Sequence, residues 1–145
     1  VIYRRASTWE ALAGGPDLGP FDPAKPLRSN RPNDALLCTA GLCNGVRIDA
    51  ELPENDSAPS ELIARIEERF RASGEIMERV DDGANPARLR IVTWTSGFRF
   101  PDTNSFEAVA LENRKTGLVA CARAQIGYSD RRKDLERLRA VTVGL

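Results

Sequence analysis

Leu118-Val-Ala-Cys-Ala-Arg-Ala-Gln-Ile126, continued by Gly127-Tyr-Ser-Asp130 and the charged run from Arg131 to Ala140, is the stretch that decides the fold. It sets out a strand, a cap and a helix in one run. Ser129 or Asp130 is the expected cap, its side-chain oxygen accepting backbone N–H bonds at the helix start. Leu135, Leu138 and Val141 give that helix only a narrow apolar stripe, and the rest of the chain reads as material that packs against this unit.

Working upstream, Ser105 to Glu112 reads as the preceding strand, joined to Leu118–Ile126 by a hairpin turn at Asn113-Arg-Lys-Thr-Gly117. Phe98-Arg-Phe-Pro-Asp102 is expected at an edge or a turn, because Pro101 lacks the N–H that a central strand donates. Arg88 to Thr95 is rich in β-branched and aromatic residues and is expected as a strand, with a shorter one over Glu75–Val80 closed by Asp81-Asp82-Gly83. Leu62, Ile63, Ile66 and Phe70 recur at helical spacing. Ser57 or Ser60 is expected to cap their helix, Pro59 fits its first turn and Gly74 stops it. Val46 to Leu52 alternates as another strand, and Asn33 to Gly45 reads as a loop carrying Cys38 and Cys43.

Helices segregated from a run of hairpin-linked strands predict an α+β fold: one antiparallel sheet of about five strands with two helices on one face. Residues 1–33 are expected as an extended arm, since Gly14-Gly15-Pro16, Gly19-Pro20, Pro23, Pro26 and Pro32 break any regular ladder. Trp9, Leu12, Leu18, Phe21 and Leu27 stud that arm as apolar anchors, for its own domain or for a partner. Residues 34–145 form the single domain.

With 145 residues, 41% hydrophobic and 29% charged, the chain is long enough for one buried core and too polar to be membrane-embedded throughout. Its 21 basic and 21 acidic residues cancel, which removes the field a nucleic-acid binder uses to gather its partner. There is no histidine, so Ser-His and Cys-His nucleophile schemes are excluded, and with them the commonest metal ligand. No metal and no cofactor is expected. Val1-Ile2-Tyr3 ahead of Arg4-Arg5 reads either as the end of a hydrophobic anchor or as an ordinary chain boundary.

Cys38 and Cys43 either close a small disulfide ring, contributing about 2 kcal/mol by loop entropy in an oxidising compartment, or are two small buried residues. Arg99, Asp102, Arg123, Tyr128, Asp130 and Arg137 form the candidate polar cluster. Small neighbours leave room beside Arg123 for an anionic ligand, and the plainer alternative is an ion pair of Arg123 or Arg99 with Asp102 or Asp130 that locks the last helix to the sheet. Asp81-Asp82 reads as a solvated turn, Cys121 as a small buried residue without an activating base, and Arg131-Arg132-Lys133 as a solvated helix face.

Phe98-Arg-Phe-Pro-Asp102 after Thr95, then Ala122-Arg-Ala-Gln-Ile-Gly-Tyr-Ser-Asp130 with Arg137 beyond, resembles the bacterial and plastid family designated domain of unknown function 1499. Asp17-Leu-Gly-Pro20, Arg31-Pro-Asn-Asp34 and the cysteine-bearing loop resemble its proteobacterial members. The chain departs from the pattern where serine is usual at Ala124, and where glycine and asparagine are usual at Arg132 and Asp134. The resemblance implies an N-terminal hydrophobic segment, a place in the cell envelope and an oxidised Cys38–Cys43 pair. The expectation that results is a non-catalytic periplasmic module, membrane-tethered and serving as an accessory subunit of a membrane protein complex. A small-anion or lipid-binding domain is the alternative, and a hydrolytic enzyme a more distant one that would require converging carboxylates.

Overall fold

The computed structural model describes residue 19, residues 34–94 and 101–124, and residues 131–145, with the backbone alone at 131 and 132. Six strands and two helices follow in the order β1 (Asp34–Thr39), β2 (Ala50–Leu52), α1 (Pro59–Ala72), β3 (Ile76–Arg79), β4 (Arg88–Trp94), β5 (Pro101–Ala110), β6 (Thr116–Ala124) and α2 (Arg131–Thr142). The strands make one sheet in the order β2-β1-β6-β5-β4-β3. All neighbours are antiparallel except β1 and β2, which run parallel. The fold is α+β as expected, but the sheet is mixed and has six strands rather than about five.

The extra strand is β1, where the sequence reads as a loop. All six of its residues are buried, so it has no apolar–polar alternation to betray it. Val46 to Leu52, expected as a strand throughout, contributes only Ala50–Leu52 to the ladder. Parallel neighbours need a crossover, and residues 40–49 supply it by lying across one face of the sheet. Leu42, Cys43, Val46 and Ile48 pack there against Leu36, Cys38, Val119 and Cys121. Asp49 fastens the end of this loop, donating its N–H to the Leu36 carbonyl at 2.8 Å and accepting the Leu36 N–H on Oδ2 at 2.9 Å. Cys38 and Cys43 stand at disulfide distance with Cα atoms 6.2 Å apart.

Both helices cover the other face. Leu62, Ile63, Ile66 and Phe70 of α1 and Leu138 and Val141 of α2 share one core with Ala35, Leu37, Leu89, Ile91, Phe106, Ala108, Leu118, Ala120 and Ala122 from four strands. Phe70 meets Phe106 edge-on, ring centroids 5.6 Å apart. Pro59 opens α1 behind Ala58, which makes no side-chain cap bond, so neither Ser57 nor Ser60 caps the helix. Ser57 is engaged elsewhere, its Oγ accepting from Arg65 and its carbonyl from Thr116. Proline's fixed φ and its missing N–H start the helix without that help. Gly74, at φ 77°, ends the segment where the sequence places the stop.

Pro101 does not lie at a sheet edge. It is the first residue of β5, a central strand between β4 and β6, and a first position is one that proline tolerates because the ladder requires no N–H there. The β5–β6 hairpin turns tightly at residues 111–115, with Leu111 N–H donating to the Lys115 carbonyl at 2.8 Å and Arg114 at φ 67°. Gly117 therefore lies inside β6 rather than in the turn, where a Cβ would come within 2.7 Å of Leu42 Cδ1. Among the described residues no helix is long and apolar enough to cross a membrane.

Phe70 is fully buried between α1 and the sheet, so Phe70→Ala is expected to cost about 3–5 kcal/mol, measured as the shift in urea unfolding free energy. A loss under about 1 kcal/mol would mean that α1 does not pack as described.

Candidate functional site

Asp102, second in β5, points to the helix side of the sheet along with Asn104, Phe106 and Ala108. On α2, Asp134, Arg137, Leu138 and Val141 share one side at the spacing i, i+3, i+4, i+7, so the charged pair faces the sheet beside the apolar stripe. Arg137 Nη1 lies 3.1 Å from Asp102 Oδ2 and 3.1 Å from Asp134 Oδ1. Its Nε donates to both Glu75 oxygens, at 3.1 and 3.2 Å, in the link between α1 and β3. One guanidinium thus ties β5, α2 and the end of α1. Arg137 is only 9% exposed in its side chain, Asp102 7% and Asp134 0%.

Three carboxyls to one guanidinium is more negative charge than a buried site holds in ionised form. Burial pushes the Asp102 carboxyl up to about 7, with the neighbouring Asp134 charge and the hydrogen bond between the two carboxyls adding to it and Arg137 opposing it. Burial works against the Arg137 charge, but Asp102, Glu75 and Asp134 outweigh it and raise its pKa. Asp102 and Asp134 therefore share a proton, as paired carboxyls in a dry site do. Next to them Asn104 donates from Nδ2 to the Ile91 carbonyl and Thr93 Oγ1, each at 3.1 Å, and its Oδ1 is buried without a hydrogen-bond partner.

A pair of converging carboxyls is the geometry that acid–base hydrolysis asks for, but among the described residues neither carboxyl lines the groove beside the pair. That groove, about 840 Å³, is lined by Glu75, Trp94, Lys133, Glu136, Arg137 and Val141. What the arrangement does is hold α2, whose apolar stripe is narrow, onto the sheet.

Arg123 stands apart from this cluster. It pairs in register with Thr103, one residue along from Asp102, and so projects from the helix-free face. Its Nη2 donates to the Gly19 carbonyl and its Nε is buried with no hydrogen-bond partner. Arg99, Tyr128 and Asp130 lie outside the described residues, as do Trp9, Leu12, Leu18, Phe21 and Leu27 of the arm and the proposed caps at Ser129 and Asp130. The structure brings Asp102 and Arg137 together, sets Arg123 on the other side, and adds Asp134, Glu75 and Asn104. The position of Asp134 three residues before Arg137 on the apolar side of the helix was the available signal.

Asp81 is not merely a solvated turn residue. It receives Arg79 through both oxygens, at 2.8 and 2.9 Å, and the N–H groups of Arg90 and Gly83, fixing the end of β3 to β4. Partial burial would raise its pKa, but Arg79 and those N–H groups hold it at about 2. Among the described residues no group of three or more potential ligands could hold a metal ion. No protein-family model matches the chain, nor does any curated protein or solved structure.

The pH dependence follows from the two signs. Asp102 titrates near 7 when folded against 3.8 in a free chain, so its contribution is whole below about 4 and is lost as pH rises towards 7. Asp81, depressed to about 2, contributes above about 4 and loses that as pH falls. The urea midpoint is expected to fall between about pH 5 and pH 7.5, and Asp102→Asn, which keeps a neutral hydrogen-bonding group, is expected to flatten that slope. A slope unchanged in the variant would remove the shared-proton account. Arg137→Met is expected to cost about 3–5 kcal/mol, and distinctly less in an Asp102→Asn background, because fewer buried charges are then left unpaired. Equal costs in the two backgrounds, from denaturant unfolding, would show that the pair is not coupled.

Proposed function

We propose that this chain is a non-catalytic module of the bacterial cell envelope, tethered on the periplasmic side of the inner membrane and acting as an accessory or interaction subunit of a membrane protein complex. The observation that carries the reading is the contact of Arg123 with Gly19, which brings a point of the Pro/Gly-rich arm onto the sheet face that has no helix. Gly19 and the helix-free face then offer one surface to a partner, away from both helices. The Cys38–Cys43 pair at disulfide distance supports an oxidising compartment, and an envelope place is what the resemblance of Phe98–Asp102 and Ala122–Asp130 to the domain of unknown function 1499 family implies. The burial of Asp102 and Asp134 against Arg137 supports an architectural rather than a chemical use of these acidic residues.

One observation favours the small-anion reading. Arg123 Nε is buried without a hydrogen-bond partner, a place that a ligand oxyanion would fill. Asp34, its register neighbour on β1 and 5% exposed, weighs against a second negative charge there.

Extraction of native membranes in mild detergent is expected to carry the chain with one membrane complex of fixed composition through two successive purification steps. Arg123→Glu, checked for an unchanged melting temperature, is expected to lower the co-purified fraction several-fold. Recovery of the chain as a lone monomer in the soluble fraction would overturn the proposal, and loss of inorganic phosphate binding in Arg123→Gln would favour the anion reading in its place.

A further inference from the structure

Cys121, the chain's third cysteine, keeps its thiol within the same apolar cluster that holds the disulfide pair. It is 3% exposed on the helix-free side of β6, beside Leu36, Cys38 and Val119, and Cys43 of the crossover loop packs against that cluster. The β1–β6 register sets Leu36 opposite Cys121 and Cys38 opposite Val119, which makes Cys38 and Cys121 diagonal neighbours. Diagonal positions are held about 7–8 Å apart, beyond the roughly 4.4–6.8 Å between Cα atoms that a disulfide spans. The two strand cysteines are thus kept from bonding to each other. Cys43 belongs to no ladder; it is paired with Cys38 and packs against the cluster that contains Cys121.

We propose that Cys121 is a second disulfide partner for Cys43, so that thiol–disulfide exchange carries the bond from Cys38–Cys43 to Cys43–Cys121. The step balances within the chain. The Cys121 thiol gives up its proton and the thiolate attacks Cys43 Sγ. The Cys38–Cys43 bond breaks as Cys43–Cys121 forms, and Cys38 leaves as a thiolate that takes up the proton. Nothing is oxidised or reduced overall, and no outside thiol is consumed. Burial disfavours the attacking thiolate, so the exchange waits on residues 40–49 lifting from the sheet. Its effect is to retie that loop from β1 to β6, changing which strand bears the cover over the helix-free face.

Two measurements test this. In Cys38→Ser, which leaves Cys43 and Cys121, oxidised glutathione is expected to give a Cys43–Cys121 disulfide by peptide mass mapping, with thiols falling from two to none. In Cys43→Ser, which leaves the diagonal pair, both thiols are expected to remain titratable. For the unaltered chain, alkylation at pH 8.5 in urea below the unfolding midpoint is expected to label Cys38 at the expense of Cys121. A folded Cys38→Ser variant that keeps both thiols overturns the proposal. Should that variant not fold, label confined to Cys121 at every urea concentration below the midpoint overturns it equally.

Discussion

A single guanidinium shared by carboxyls from three segments holds this molecule's layers in place. Arg137 reaches Asp102 on β5, Asp134 on its own helix and the partly exposed Glu75 after α1, with Arg137 and both aspartates nearly closed to water. Its helix has few other ties: Leu138 and Val141 are buried, Leu135 is half-buried, and Arg69 of α1 donates to the Val143 carbonyl at its end. An apolar contact of that size would fix the helix loosely. The charged contact fixes its rotation and its position along the sheet, because the guanidinium has only one arrangement that meets all three partners.

The two faces of the sheet have accordingly come to different uses. One is covered by α1 and α2 around a dense core, with Arg137 and its carboxyls at the edge of that core. The other is covered in part by the crossover loop and is touched by the arm at Gly19 through Arg123. Cys121 and Arg123, two residues apart on β6, both lie on this second face, so the residues invoked for a partner, a ligand or disulfide exchange gather there.

The helices, most strands and the α+β class were legible in the sequence because helical spacing and β-branched runs survive without tertiary context. β1 was not, since a strand buried on both sides carries no alternation, and its flanking Asn and Gly residues look like loop chemistry. Pro101 misled for a related reason: whether a proline sits at the start or in the middle of a strand is set by the ladder, which the sequence does not display. Asp102 and Arg137 were singled out, yet their separation from Arg123 depends on register, where one residue decides the face. Glu75 carried no local signal, being more than sixty positions from the arginine it meets.

The placement of β1 between β2 and β6 has a kinetic side. Its partner Leu118 lies 79 residues downstream of Thr39, whose hydroxyl it meets, while β3 to β6 are linked by adjacent hairpins. As the chain leaves the ribosome from its N-terminus, β1 emerges with only the three-residue β2 to pair with, and its other edge must stay open until β6 has been made. Closure over so long a stretch is slow, which leaves this apolar segment as the part of the nascent polypeptide most in need of a chaperone.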